Sequence, residues 1–121
     1  MTTSSKTRTV DLLVGAFDLG QRRKFEVKTE SGEVLTTLYF RPITRSDRKA
    51  AQSKANSDDA LEISTQMLCQ KAELEDGSKA FSMADAPKLQ RELPEKILND
   101  IELFLFGLGS QGETLEETKN D

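Results

Sequence analysis

The side chains that most often do chemistry are nearly absent from this sequence. It has no histidine and one cysteine, Cys69. Histidine is the commonest general base and the commonest transition-metal ligand. Imidazole and thiolate metal sites of the usual kind are therefore excluded. Carboxylates remain: Glu73, Glu75 and Asp76 lie close together, as do Asp58 and Asp59, and such groups can bind Mg²⁺ or Ca²⁺. Residues 73–77 lack the alternating ligands of a calcium loop, so a solvated loop is the expected role. Gly107-Leu108-Gly109-Ser110-Gln111-Gly112 fits G-x-G-x-x-G as a string, but that motif needs a strand before it and a helix after it. Here a helix precedes and an acidic segment comes after. Cys69, on an expected helix without an imidazole partner, reads as a small buried residue rather than a nucleophile. No catalytic residue, cofactor or metal is expected, and the chain is not expected to be an enzyme. A carboxylate-dependent enzyme ranks last among the alternatives.

Apolar contacts are the richer signal. Leu103, Phe104, Leu105 and Phe106 are consecutive, and Leu108 comes after Gly107. Helical residues are about 100° apart, so these four point in four directions round one turn. A helix packed on one core needs one apolar stripe; one apolar all round is buried on every side or meets a partner. Each large side chain left in water forgoes roughly 1.5–3 kcal/mol. Leu103, Phe104, Leu105, Phe106 and Leu108 are thus the candidate residues for self-association or partner binding. The plainer alternative is a central core helix wrapped by the rest of the chain.

The chain has 121 residues, a length suited to one domain that buries roughly two thirds of its unfolded surface. A single cysteine permits no internal disulfide and suits a reducing, cytosolic compartment. No segment is long and apolar enough to span a bilayer, and no secretory signal is expected. Residues 1–50 hold ten Lys/Arg and six Asp/Glu; residues 51–121 hold seven and fifteen. Such asymmetry can serve nucleic-acid binding through the first half, where Arg22, Arg23 and Lys24 and then Arg45, Arg48 and Lys49 cluster. It also suits like molecules meeting positive patch to negative patch. The overall acidity and the lack of a DNA-binding helix pair argue against nucleic acid.

The elements are legible from pattern. Residues 1–9 are polar and expected to be a disordered tail. Thr9 is placed to cap a helix over about 10–19, ended by Gly20, with Leu12, Leu13, Ala16 and Phe17 on one face. Phe25, Val27 and Thr29 alternate with charged residues, Glu30-Ser31-Gly32-Glu33 has turn chemistry, and residues 34–40 are rich in β-branched and aromatic types. A β-hairpin over about 24–41 results, stopped by Pro42. Thr44 and Asp47 form a capping-box-like start. Residues 56–59 favour caps over helix interiors and divide the helical stretch in two, with Leu61, Ile63, Met67, Leu68, Ala72 and Leu74 as the apolar side of the second helix. One long helix over about 45–74 is the alternative. Phe81 is expected to anchor a loop. Ser82 or Asp85 then caps a helix with Pro87 in its first turn, and Pro94 starts the last helix, closed by Gly107 and Gly109. Residues 10–109 therefore form one mainly α domain with an N-terminal β-hairpin, an α+β class, with helices over about 45–107. Residues 110–121 are expected to be an acidic flexible tail.

This order resembles the tail assembly chaperones of long-tailed double-stranded DNA phages of the siphovirus type. The resemblance covers roughly residues 24–108. It rests on a hairpin ending Tyr39-Phe40-Arg41-Pro42-Ile43-Thr44, a helical middle, Asp76-Gly77-Ser78-Lys79-Ala80-Phe81-Ser82, Asp85, and a terminal helix ending Leu105-Phe106-Gly107. It implies a non-catalytic chaperone of the host cytoplasm that self-associates, coats the tape measure protein, helps recruit the tail tube subunit and is absent from the mature virion. It also implies a longer form made by translational frameshift, diverging after Gly109. The alternative reading is a small nucleic-acid-binding or regulatory protein using the basic N-terminal half.

Overall fold

A computed structural model describes residues 8–108. Residues 1–7 and 109–121 lie outside the described residues, and with them most of the tail expected at 1–9 and all of the tail expected at 110–121; Thr9, placed in the first of these tails, is instead helical. Five helices and one hairpin run in the order α1 (Thr9–Ala16), β1 (Arg23–Lys28), β2 (Val34–Phe40), α2 (Arg45–Ala55), α3 (Ala60–Lys71), α4 (Ala86–Glu92) and α5 (Glu95–Leu105). The class is α+β, as the sequence predicts.

The hairpin is antiparallel, with Phe25 opposite Leu38 and Arg23 opposite Phe40. Side chains alternate across a strand, so Arg23, Phe25, Val27, Leu38 and Phe40 share one face. Gly32 turns the chain at φ 95°, a conformation glycine enters without steric cost. A two-stranded hairpin is marginal alone in water, and α5 covers this one. The Phe104 ring lies 5.1 Å from Phe25 and 5.9 Å from Phe40, tilted against both. Behind these rings the core continues through Met67, Leu68 and Ala72 of the α3 segment and Leu98, Ile101 and Leu105 of α5.

Capping sets the helix boundaries. Thr44 accepts from the Asp47 backbone N–H, and the Asp47 carboxylate accepts from the Thr44 N–H, so both halves of the capping box close. Asn56 enters the left-handed region at φ 53° and ends α2. The Asp59 carboxylate accepts from the Leu61 N–H and starts α3. Residues 45–74 are therefore two helices. The second is shorter than expected: Ala72 is already extended, and Glu73 instead bridges the backbones of Tyr39 and Lys79. Ser82 and Asp85 cap each other's backbone before Pro87. Phe81 packs against the core as expected.

Three expectations are corrected. Thr9 does not cap; it is the first helical residue, and Arg8 at the cap makes no side-chain bond. The helix ends at Ala16 rather than near Gly20, because Phe17 is already extended. Leu61 and Leu74 are exposed rather than part of the α3 apolar side. In addition, α1 buries none of its residues, so the packed body runs from β1 to α5. We expect Phe104→Ala to cost about 3–5 kcal/mol and Ile101→Ala about 2–5 kcal/mol in urea denaturation, because each opens a cavity under the hairpin or beside α3. A change under about 1 kcal/mol at either site would show that α5 is not the core helix.

Candidate functional site

The five residues expected at a partner surface separate in space. Phe104 and Leu105 are buried at 5% and 1% exposure. Their assignment to a partner surface is corrected: they are core. α5 packs against β1, α3 and α4, so a broad arc of its surface is covered rather than a single stripe. Leu103 is half-buried. Phe106 and Leu108, at 36% and 71% exposure, remain on the surface.

The end of α5 is built to hold them there. Gly107 takes φ 80°. Its N–H donates to the Phe104 carbonyl and the Leu108 N–H donates to the Leu103 carbonyl, at 3.0 and 2.8 Å. This is a Schellman closure, which satisfies carbonyls the helix leaves open. Arg23 adds a charge there: Nη2 donates to the Phe104 carbonyl at 2.9 Å, and the guanidinium lies 4.4 Å from the Phe104 ring centre. A cation at a helix C-terminus complements its dipole.

Two of the three residues of the basic cluster before the hairpin, Arg22 and Arg23, are engaged within the fold, while Lys24 is exposed. Arg22 donates to Glu73 Oε1 and to the carbonyls of Leu74 and Glu75, and sits over the Tyr39 ring. Arg41 Nε donates to Glu73 Oε2 at 3.0 Å. Burial alone would raise the Glu73 carboxyl; the hydrogen bonds and charges of Arg41, then of Arg22, outweigh it and hold it below the ordinary 4.5.

A second carboxylate gives no signal in the sequence. Glu102 is buried on α5, and its Oε2 accepts from the Thr65 hydroxyl at 2.7 Å. With Asp59, Glu62 and Glu95 it lines an acidic cleft of about 210 Å³. Burial raises its pKa above the ordinary value; the Thr65 hydrogen bond opposes this in part, and Glu95 adds to the rise. These groups come from two distant helices, so no local spacing marks them. The cleft can exchange a proton at Glu102. Asp59 is already committed to capping α3, and no group of three or more His, Cys, Asp or Glu suited to a metal occurs among the described residues. Cys69 is buried as expected. Burial, then the nearby charges of Asp85 and Glu102, push its thiol up to about 12.

The largest apolar exposure lies elsewhere, at a segment the sequence does not single out for binding. Leu12, Leu13, Val14 and Phe17 stand in water in and just after α1, with Val10 and Leu19 beside them. The sequence signal for this is an apolar run over residues 10–17, interrupted by Asp11. Comparison with protein-family models, with curated proteins and with solved structures finds no match to this chain.

The two buried carboxylates respond to pH with opposite signs. Glu73 binds its proton less tightly in the folded chain than in the unfolded one. Its stabilisation is complete above about pH 4.5 and is lost as pH falls through the lower folded value. Glu102 has the opposite sign: its ionised form opposes folding, and that opposition is relieved as pH falls through its raised value toward the ordinary one. In urea denaturation across acidic pH, Glu73→Gln should flatten the rise of stability with pH and Glu102→Gln should steepen it. Identical slopes in both variants and the parent would contradict the assignment. Phe106→Asp should keep the thermal midpoint within a few degrees, because the charge stays in water. Loss of cooperative melting by circular dichroism would make Phe106 a core residue.

Proposed function

We propose that this chain is a non-catalytic assembly chaperone for the tails of long-tailed double-stranded DNA phages. It self-associates and covers apolar stripes of the tape measure protein while the tail is built. The observation that carries this reading is α1, an apolar helix with no buried residue attached to a body whose core is already complete. A protein that must cover an aggregation-prone helical client needs apolar surface that its own fold does not consume, and helix-in-groove contact is the matching mode of recognition. The order of elements that resembles such chaperones supplies the client. Work in the host cytoplasm, recruitment of the tail tube subunit, absence from the mature virion and a frameshifted longer form belong to the same proposal.

The nucleic-acid alternative is less well supported than the composition suggests. Arg22, Arg23 and Arg41 hold Glu73, backbone carbonyls and the end of α5, so part of the basic half is used within the fold. Phosphate binding would fall steeply with salt, whereas apolar association persists.

Co-expression tests the proposal. With this chain present, the tape measure protein encoded by the same phage should move from the pellet to the soluble fraction and co-purify at low and high salt. Equal precipitation with and without the chain would overturn the chaperone reading. Salt-sensitive retention on nucleic acid, with no effect on the client, would favour the alternative.

A further inference from the structure

The hairpin has one edge partly covered and one edge open. Tyr39 of β2 exchanges both backbone hydrogen bonds with Glu73, at 2.8 and 2.9 Å, so its N–H and C=O point away from β1. Tyr39 stands opposite Lys24. Opposite residues of an antiparallel ladder alternate between bonded and non-bonded pairs. Lys24 and then Glu26 therefore turn their backbone groups outward from β1. Beyond the irregularity at Val27 and Lys28, the Thr29 N–H donates to the Glu33 carbonyl, so Lys28 also faces outward. Among the described residues no hydrogen bond satisfies these outward groups. Such an edge is a template for another strand. Lys24, Glu26 and Lys28 project on one face of β1, opposite Phe25 and Val27, and Glu26 and Lys28 lie 3.9 Å apart. On the other face Phe25, Val27 and Ile97 line a groove of about 170 Å³ between the open edge and α5. Val27 and Ile97 are only half-buried there.

We propose that β1 of one copy pairs antiparallel with β1 of a second copy across a two-fold axis at Val27, joining two hairpins into one sheet. The charges choose both partner and register. With the axis at Val27, Glu26 stands opposite the second copy's Lys28, and Lys28 opposite its Glu26. Glu30, in the turn, lies level with the second copy's Lys24. An axis at Glu26 would set Lys24 against Lys28 and Glu26 against itself. An axis at Phe25 would match Lys24 with Glu26 but bring Arg22 against Lys28. Opposite charges across a strand pair favour it and like charges oppose it. The edge is thus charged against an apolar strand and complementary to its own copy. On the other face the same axis brings Val27 beside the second copy's Val27 and joins the two grooves into one apolar strip, with an Ile97 on each side. A two-fold contact uses the same patch on both copies and closes at a dimer. This inference rests on the self-association in the chaperone reading and assigns it a surface away from α1, Phe106 and Leu108.

The test uses the full chain in sedimentation velocity across a concentration series, with circular dichroism melting of every variant. The parent should form dimers as concentration rises. Glu26→Lys and Lys28→Glu, each alone, should weaken association at least roughly tenfold, equal to about 1.4 kcal/mol, with cooperative melting kept because both side chains lie on the solvent face. An equimolar mixture of the two variants should associate again, since every lysine of one then meets a glutamate of the other. A parent that is monomeric throughout overturns the pairing. Lys28→Glu that associates like the parent overturns the Val27 register. Single variants that stay apart when mixed overturn the charge match. In each of those cases a soluble client in co-expression leaves the chaperone's action on its client standing, and an insoluble client beside a mixture that re-associates removes that reading alone.

Discussion

A two-stranded hairpin cannot keep its apolar face in water, and in this chain one side chain reaches both strands. Phe104 touches Phe25 on β1 and Phe40 on β2. Tilted aromatic pairs add about 0.5–1.5 kcal/mol beyond the area they bury. Arg23 lies on the same strand face as Phe25, and its guanidinium reaches over the Phe104 ring to the last carbonyls of α5. Strand alternation therefore places a ring and a charge on the same helix end. The hairpin needs α5 to be buried, and α5 needs Arg23 to close its terminus. The α3 segment completes the enclosure with Met67, Leu68 and Ala72.

The use of charge depends on that enclosure. Glu73 extends the hairpin edge by exchanging both backbone hydrogen bonds with Tyr39, which carries its carboxylate among Arg22 and Arg41. A carboxylate buried there without cations would be costly; two arginines from the hairpin's base remove the cost. The basic N-terminal half is thus partly a structural supply of guanidinium groups, which lowers its value as evidence for nucleic-acid binding. Glu102 shows the contrast: held by a hydroxyl and no cation, it shifts toward the protonated form.

Chemistry is legible in the sequence where it is local. Thr44 with Asp47, Gly32, Asn56, Pro42, Ser82 with Asp85, and Pro87 all mark boundaries through groups within a few residues of one another, and the α+β class is read from them. The all-round apolar turn at residues 103–106 implies cover on more than one side, but the identity of the cover is a tertiary fact. The hairpin, α3 and α4 supply it, so Phe104 and Leu105 are core and only Phe106 and Leu108 stay at the surface. The converse holds for α1. Its pattern of Leu12, Leu13, Ala16 and Phe17 gives a face, yet pattern alone cannot show that the body leaves this face unmatched. The acidic cleft joins Asp59 and Glu62 to Glu95 and Glu102 across two helices, beyond the reach of any spacing rule.

The central claim is a division of labour: α5 closes the body, and α1 is the apolar surface left for another molecule. Amide hydrogen exchange on the full chain, resolved by peptide with and without the client, tests it most directly. The account predicts that peptides of α5 are protected in both, while peptides spanning α1 exchange fast alone and slow with the client. Fast exchange in α5, or exchange in α1 that does not change with the client, would contradict it.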